Sequence, residues 1–315
     1  MTINNRFQHN GKATKVKGTP RRFPAIIPLS DGFEADLRPA MQKAILVAIL
    51  LGLLGSAQAA AAPETIQLPS QNPPLQALIY RPQGAGPFPA IVALHGCDGL
   101  KSSTDHVRRE VEDWGQRLSA AGFVVLFPDS YGSRGLSHQC SAKTLQIRPD
   151  RERVADAHAA RDWLQQQDFI RKDRISLLGW ANGGIATLWA VRPHSEPDDE
   201  RPDFRSAAVF YPGCRRLGDT AWSARIPTLI LVGALDNWTP AKPCEDMVRD
   251  ARGRSAQVVI VKYKGAHHAF DRDNLPVRQR RQIAFAPDPG GRVTVGTNPE
   301  ARADAIKRVP RWFSR

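Results

Sequence analysis

The segment Leu177–Gly184, with the sequence LLGWANGG, constrains the fold more than any other part of this 315-residue chain. It lies between a mostly apolar run at Arg174–Leu178 and an apolar run of helical character at Gly183–Ala190. The pattern G-x-S-x-G between a strand and a helix is a nucleophile elbow, a sharp turn that presents a reactive side chain at its apex. Here the apex residue is Ala181, and a methyl group cannot attack a carbonyl carbon. The segment therefore predicts an elbow without its usual nucleophile.

Two other stretches supply an acid and a histidine, in the order in which triad enzymes with this elbow carry them. The apolar run Pro227–Gly233 ends at a turn that contains Asp236, and the run Gln257–Tyr263 leads to His267 and His268. A carboxylate that faces the histidine holds its tautomer and stabilises the imidazolium. Each residue alone is ordinary. Three such positions at predicted strand ends, in this order, indicate a catalytic triad rather than an isolated glycine turn.

A further predicted strand, Pro89–Leu94, enters the glycine-containing loop His95–Gly99. In elbow enzymes a loop of this kind supplies one backbone N–H of the oxyanion hole, and the residue after the nucleophile, here Asn182, supplies the other. The alternative is that the two glycines of the loop only shape a turn. In both cases we expect His95 to be a structural residue.

Together these motifs resemble the dienelactone hydrolase family of α/β-hydrolases, in particular its secreted bacterial members. The resemblance runs from about Gln67 to the C-terminus. It implies an α/β fold in one domain, with a doubly wound, mostly parallel sheet flanked by helices. The segments that carry it are Leu94–Gly99, Phe127–Gly135, Gly179–Gly184, Phe210–Cys214, Asp236–Pro240 and Gly265–Phe270.

The resemblance also implies roles for individual residues. The family pattern places the catalytic histidine two residues before a phenylalanine, which selects His268, and it places the acid at Asp236 and the nucleophile at the position of Ala181. The oxyanion-hole N–H groups are then those of Cys97 and Asn182. The implied activity is the hydrolysis of small-molecule esters or lactones, with no metal and no organic cofactor.

Ala181 departs from the family, whose members carry cysteine or serine there. Cys97 would have to be reduced and turned inward to replace it, Ser176 lies inside a predicted strand, and a water activated by His268 is a poor substitute for a covalent route. We therefore expect the chain to be nearly inert as an esterase. Two explanations stay open: a non-catalytic ligand-binding pseudoenzyme on the same scaffold, or an inactivated variant of an active parent.

The N-terminal region predicts an export signal. Lys43 precedes the apolar run Ala44–Gly55, which is too short to span a bilayer comfortably, and Ala57–Ala59 forms an A-x-A cleavage site. Because signal peptides begin near the start of a chain, Met41 is a candidate initiator.

The division that follows is an unstructured extension at 1–40, a signal peptide at 41–59 and a single domain at 60–315. Cleavage leaves the mature protein in the periplasm or secreted, with no stable membrane anchor. The alternative is an uncleaved anchor. We expect a monomer or a small homo-oligomer.

Export allows the four cysteines to be interpreted as disulfide pairs, because an oxidising compartment permits them. The implied fold places Cys97 and Cys140 in loops at the same end of the sheet, and it does the same for Cys214 and Cys244. On these positions we predict the pairs Cys97–Cys140 and Cys214–Cys244. The first pair would remove Cys97 as a nucleophile. A zinc site is disfavoured, because the sequence has no close cysteine–histidine cluster.

The formal net charge of +13 raises the question of nucleic-acid binding. The arginines are scattered along the sequence, no known nucleic-acid-recognition motif is present, and export argues against this function. Attraction to anionic envelope surfaces or anionic substrates fits the charge better. Arg134 is the basic residue of most interest, because its loop, 129–135, follows a predicted strand at the active-site edge. It either binds a substrate carboxylate or makes a structural pair with an aspartate such as Asp129.

Overall fold

The computed structural model describes residues 62–69, 74–193 and 201–315. The predicted extension and signal peptide lie outside the described residues. Eight strands form one sheet that is flanked by helices. The strands are β1 (Glu64–Leu68), β2 (Leu75–Tyr80), β3 (Phe88–Leu94), β4 (Val124–Pro128), β5 (Ile170–Trp180), β6 (Ala207–Phe210), β7 (Thr228–Gly233) and β8 (Val258–Tyr263).

The helices follow the apolar periodicity of the sequence. They are α1 (Arg109–Ala120), α2 (Glu152–Gln165), α3 (Asn182–Ala190), the short α4 (Arg215–Gly218), α5 (Ala241–Asp250) and α6 (Pro299–Phe313). In α1 the buried residues Val111, Trp114 and Leu118 recur at helical spacing. The Asn298 side chain caps α6 by accepting a hydrogen bond from Ala301 N–H. Within the described ranges, no helix has the length and apolar character needed to cross a membrane.

The strand order is β1-β2-β4-β3-β5-β6-β7-β8. The pairs β1–β2 and β2–β4 are antiparallel, and every pair from β4 to β8 is parallel. The predicted fold class, a doubly wound and mostly parallel α/β sheet, is therefore confirmed. The chain leaves β3 for β4 on one side and returns to form β5 on the other. In such sheets ligands bind outside the carboxyl ends of the strands, where the order reverses, and the elbow follows β5 at this place.

The sheet is buried on both faces. Along β3, the side chains of Ala90, Val92 and Leu94 pack into the core that includes α2 and α3, and those of Ile91 and Ala93 pack into the core that includes α1 and α6. Because both faces are covered, the parallel strands are continuous apolar runs rather than alternating ones. For this reason the strands can be recognised in the sequence as apolar runs with glycine or proline at their ends.

The long polar stretch 274–296, which contains glycine and proline, is ordered by backbone pairing. Strands β9 (Arg278–Arg280) and β10 (Val293–Val295) pair antiparallel within it, and His268 forms a bridge to Val295. Ala284 N–H also donates to the Cys140 carbonyl at 2.9 Å. These pairings join segments distant in sequence, and local patterning carries no sign of them.

The predicted disulfide pairing is confirmed. Cys97 is bonded to Cys140, and Cys214 to Cys244, and all four residues are buried. The first bond ties the loop after β3 to the loop after β4, and the second ties the segment after β6 to α5. No cysteine of the chain is a free thiol. This use of cysteine fits an oxidising compartment.

One buried carboxylate organises the polar part of the core. Asp271 Oδ2 accepts hydrogen bonds from the indole N–H groups of Trp114 and Trp180, at 2.8 Å each, and its Oδ1 accepts from the Tyr211 hydroxyl at 2.6 Å. Arg302 donates to the Asp271 backbone carbonyl. Burial, and then the charge of Asp271, raise the pKa of Tyr211 well above its usual value, so the phenol remains a donor. The carboxylate thus joins α1 to the ends of β5 and β6.

Replacement of this carboxylate should destabilise the whole domain. In an Asp271→Ala variant three buried donors lose their acceptor, and each unsatisfied donor costs about 1–3 kcal/mol. We expect the free energy of unfolding, measured by urea denaturation, to fall by about 3–5 kcal/mol. Asp273→Ala, which removes the partly exposed carboxylate that pairs with Arg109, should cost less than about 1 kcal/mol. Equal losses of unfolding free energy for the two substitutions would contradict the structural role assigned to Asp271.

Candidate active site

The predicted elbow is present where β5 passes into α3. Ala181 lies at its apex with φ 47° and ψ −111°, a conformation that residues with a side chain rarely adopt. Its N–H donates to the Phe210 carbonyl at 3.0 Å, and its own carbonyl accepts from Ile185 N–H at 2.9 Å. Strain of this kind amounts to roughly 1–3 kcal/mol and persists only where the surroundings enforce it. Position 181 therefore combines the backbone of an elbow nucleophile with the side chain of alanine.

The glycines of the elbow are required by close backbone contacts. A Cβ atom on Gly183 would lie 1.9 Å from the Leu94 carbonyl oxygen, and one on Gly179 would lie 2.4 Å from the Gly183 carbonyl oxygen. No larger residue fits at either position. Because of this contact, α3 begins directly against the end of β3, and the elbow lies beside the loop that follows β3.

The predicted acid and histidine meet at the ends of β7 and β8. His268 Nδ1 donates to Asp236 Oδ2 at 2.8 Å, and both side chains are buried. Asp236 Oδ1 accepts from the backbone N–H groups of Trp238 and Thr239, at 2.9 Å each. With Nδ1 occupied in this way, Nε2 is the ring atom that can exchange a proton with a substrate. His268 and Ala181 line one small cavity of about 20 Å³.

Neighbouring side chains hold the His268 ring in place. Its centroid lies 4.3 Å from that of Tyr211 and 4.4 Å from that of Trp238. Thr239 Oγ1 lies 3.0 Å from His268 Nδ1 and 2.9 Å from Asp236 Oδ2, and it donates to the Tyr211 carbonyl at 2.9 Å. The threonine hydroxyl therefore links the histidine–aspartate pair to the end of β6. The sequence analysis assigned no role to Thr239.

The two residues predicted to supply oxyanion-hole N–H groups border the apex. Asn182 is the first residue of α3, so its N–H has no acceptor within the helix, and the positive end of the helix dipole lies there. Cys97, in the loop after β3, lines the same cavity as Ala181 and Asn182. Backbone N–H groups at a helix start are a common site for an anionic oxygen.

The cavity lined by Cys97, Ala181 and Asn182 has a volume of about 430 Å³, within the range typical of small-molecule sites. Its wall is largely apolar and includes Ile185, Trp189 and Leu217. Arg215 and Arg216 add positive charge, and residues 284–287 of the segment around β9 and β10 contribute another part of the wall. A ligand with an apolar body therefore fits next to the apex.

His95 has the structural surroundings expected for it. It is buried, its Nδ1 donates to the Gly96 carbonyl at 2.8 Å, and its ring packs edge-on against Tyr131. Burial, reinforced by the nearby charge of Arg153, lowers the pKa of His95 well below its usual value. The imidazole is therefore neutral.

Arg134, the candidate for binding a substrate carboxylate, already binds a carboxylate of the protein. Its Nη2 donates to Asp156 Oδ1 at 2.7 Å and its Nη1 to Asp156 Oδ2 at 2.9 Å. Of the two alternatives, the structural pair with an aspartate is therefore present, but the partner is Asp156 rather than Asp129, whose side chain accepts from Gly132 N–H at 2.8 Å. The pairing with Asp156 depends on how α2 packs against the loop, which residue spacing does not reveal.

A cluster of charges beside the apex was not predicted from the sequence. Asp98 accepts hydrogen bonds from Arg272 at 3.0 Å and from Arg280 at 3.0 and 3.2 Å. Burial alone would raise the pKa of Asp98, but the two guanidinium groups outweigh it and hold that pKa well below its usual range. The cluster joins the loop after β3 to β9. In the described part of the chain, the one grouping with metal-ligand spacing is Cys97, Asp98 and Cys140, whose two sulfurs are bonded to each other.

Comparison with known proteins identifies the family and the fold. The sequence model that describes the dienelactone hydrolase family matches residues 75–315 of this chain. A Yersinia pestis protein provisionally named carboxymethylenebutenolidase is 26% identical over 226 residues, which cover 66% of this chain and 79% of the relative. A Bradyrhizobium protein provisionally named 2-oxo-3-(5-oxofuran-2-ylidene)propanoate lactonase is 26% identical over 208 residues, covering 62% of this chain and 78% of that protein.

Two solved structures share the fold. One, a Klebsiella pneumoniae protein provisionally named dienelactone hydrolase, has a TM-score of 0.60 at 21% identity, and the match covers 81% of this chain and 98% of that protein. A dienelactone hydrolase-like promiscuous phosphotriesterase from metagenomic libraries has a TM-score of 0.61 at 18% identity, covering 80% and 97%. Since the family model matches most of the sequence and the fold agrees, this chain belongs to the dienelactone hydrolase family of α/β-hydrolases.

Proposed function

We propose that this chain binds small esters or lactones at an acyl-transfer site that is complete except for the nucleophile. One observation carries the proposal: Ala181 is held at φ 47° in the elbow, next to an intact Asp236–His268 pair. A strained backbone at a functional position persists only when its surroundings enforce it. The scaffold therefore keeps the arrangement of a hydrolase, while its apex lacks the atom that would attack.

Each remaining group has a defined role once a serine or cysteine stands at position 181. The nucleophile attacks the ester carbonyl and its proton passes to His268 Nε2, while Asp236 stabilises the imidazolium. The N–H groups of Cys97 and Asn182 hold the oxyanion of the tetrahedral intermediate. His268 then protonates the leaving alcohol, and a water hydrolyses the acyl-enzyme by the same steps.

Other side chains are poorly placed to replace the nucleophile. The Cys97 sulfur is consumed in the disulfide with Cys140. Ser176 is buried within β5, five residues before the apex, and its hydroxyl lies 3.1 Å from that of Ser206. The unaltered chain is therefore expected to retain only the catalysis that binding and the oxyanion hole supply.

A second candidate function is hydrolysis by a water that His268 activates directly. The cavity of about 20 Å³ between His268 and Ala181 favours it, because one water needs roughly 10–15 Å³. This route lacks the covalent intermediate that divides the reaction into two easier steps, so it is the weaker alternative.

The compartment belongs to the same proposal. Two disulfides and the signal peptide predicted at 41–59 support export to the periplasm or the medium. There the domain would meet small-molecule esters or lactones as a monomer or a small homo-oligomer.

Restoring the nucleophile should restore turnover. We expect Ala181→Ser and Ala181→Cys to raise kcat/KM for p-nitrophenyl acetate by at least about 10³-fold, since losing a triad nucleophile costs up to about 10⁶-fold in kcat. Stopped-flow absorbance should show a burst of p-nitrophenol that titrates the sites.

The control is Ala181→Ser combined with His268→Ala, which should return the rate to that of the unaltered chain. If Ala181→Ser and Ala181→Cys stay inactive although circular dichroism shows a folded protein, the remaining residues of the site do not support acyl transfer and the proposal fails.

The unaltered chain separates the two candidate functions. Under the main proposal, His268→Ala changes its residual hydrolysis of p-nitrophenyl acetate by less than about 3-fold, because no proton transfer through His268 is in use. General acid–base catalysis contributes about 10²–10⁴-fold. A fall of 10-fold or more, relative to a matched His267→Ala variant, would therefore favour activation of water.

A further inference from the structure

Arg153, in the first turn of α2, is fully buried beside the elbow. Its Nη1 donates to Asn182 Oδ1 at 2.7 Å, and its Nη2 donates to the His95 carbonyl at 2.7 Å. Its guanidinium carbon lies 5.2 Å from the centroid of the Tyr131 ring. The side chain thus bridges the first residue of α3 and the loop after β3.

A buried guanidinium needs an explanation, because removal of a charge from water is costly unless the charge is paired. Among the described residues, no carboxylate lies within ion-pair distance of Arg153. The Asp156 carboxylate, whose charge acts on Arg153, is occupied by the bidentate bond from Arg134. Burial lowers the pKa of Arg153 accordingly, although an arginine remains charged at neutral pH. Its two hydrogen bonds therefore go to the His95 backbone carbonyl and the Asn182 side chain rather than to a carboxylate.

Those two segments are the ones that would carry the oxyanion hole. The His95 carbonyl immediately precedes Gly96 and Cys97, so a donor fixed to this carbonyl restrains the peptide units that orient the Cys97 N–H. Asn182 supplies the other N–H, and its side chain is held by the same guanidinium. A rigid fork with two parallel N–H groups is suited to fix the distance between two acceptors, which a lysine ammonium is not.

We infer that Arg153 is a positioning residue of the oxyanion hole, acting through the loop after β3 and the start of α3. This inference rests on the proposed function, because it assigns a geometry to the acyl-transfer site. Arg153 touches no reacting atom. It sets the spacing of the two N–H groups that do.

The test uses the full chain with Ala181→Ser as background and adds Arg153→Lys or Arg153→Gln. The two readouts are kcat and KM for p-nitrophenyl acetate, and the inhibition constant of an alkylboronic acid. The boronic acid forms a tetrahedral adduct with the serine hydroxyl and places one oxygen in the hole. We expect kcat to fall by about 10- to 100-fold with KM nearly unchanged. This is a smaller effect than the loss of about 10²–10³-fold in kcat that follows removal of an oxyanion-hole donor itself.

The inhibition constant of the boronic acid should rise by the same factor as kcat/KM falls. A loss of folded protein would lower the apparent kcat but leave the inhibition constant of the active fraction unchanged. Arg161→Lys is the matched control, because Arg161 is a buried arginine of the same helix that binds Asp162 and Asp203 and does not contact the elbow. It should leave the inhibition constant unchanged within about 2-fold.

The outcomes distinguish a failure of the proposed function from a failure of the positioning role of Arg153. If Ala181→Ser alone neither turns over ester nor binds the boronic acid, the proposed function fails. If Ala181→Ser is active and both Arg153 variants keep its inhibition constant, the positioning role is overturned and the proposed function stands. Should Arg153→Gln fail to fold, Arg153→Lys decides alone, since it keeps the buried charge and changes only the fork.

Discussion

The close approach of α3 to the end of β3 is the constraint on which the site depends. The Gly183 backbone lies against the Leu94 carbonyl so closely that no side chain fits between them. That contact sets the sharp turn at Ala181 and brings the first N–H of α3 next to the loop after β3. An elbow geometry of this kind is a property of the backbone and the glycines. The turn therefore forms with alanine at its apex.

Buried polar contacts hold the rest of the arrangement together. The Asp271 carboxylate fixes Trp180, the residue before the apex, and Tyr211, whose ring packs on His268. The Thr239 hydroxyl then links the His268 ring to the Tyr211 backbone carbonyl. Because a buried polar network is favourable only when every member has a partner, these contacts restrict the histidine and the elbow to one geometry. The same network is a general support of the domain, so its stability and the integrity of the site are coupled.

Much of this could be predicted from the sequence, because the informative signals are local. The parallel strands are apolar runs bounded by glycine or proline, and chain order placed the elbow, Asp236 and His268 after predicted strands. The roles of Arg153 and Asp271 were not predictable in this way. Arg153 bonds a carbonyl 58 positions away and Asp271 an indole 157 positions away. An arginine in the first turn of a helix and an aspartate in a loop otherwise indicate solvent-exposed positions. For Arg134 the sequence predicted a structural pair with an aspartate as one alternative, but not the partner Asp156, which comes from α2.

The central claim is that one missing oxygen or sulfur atom separates this chain from an active hydrolase. The most direct measurement is intact-mass spectrometry after treatment with a fluorophosphonate, in which the attacking oxygen displaces fluoride at phosphorus and His268 accepts the proton. The account predicts one stoichiometric adduct on residue 181 in the Ala181→Ser variant and none on the unaltered chain. A labelled unaltered chain would reveal a different nucleophile. An unlabelled but folded Ala181→Ser variant would contradict the claim that the remainder of the site is intact.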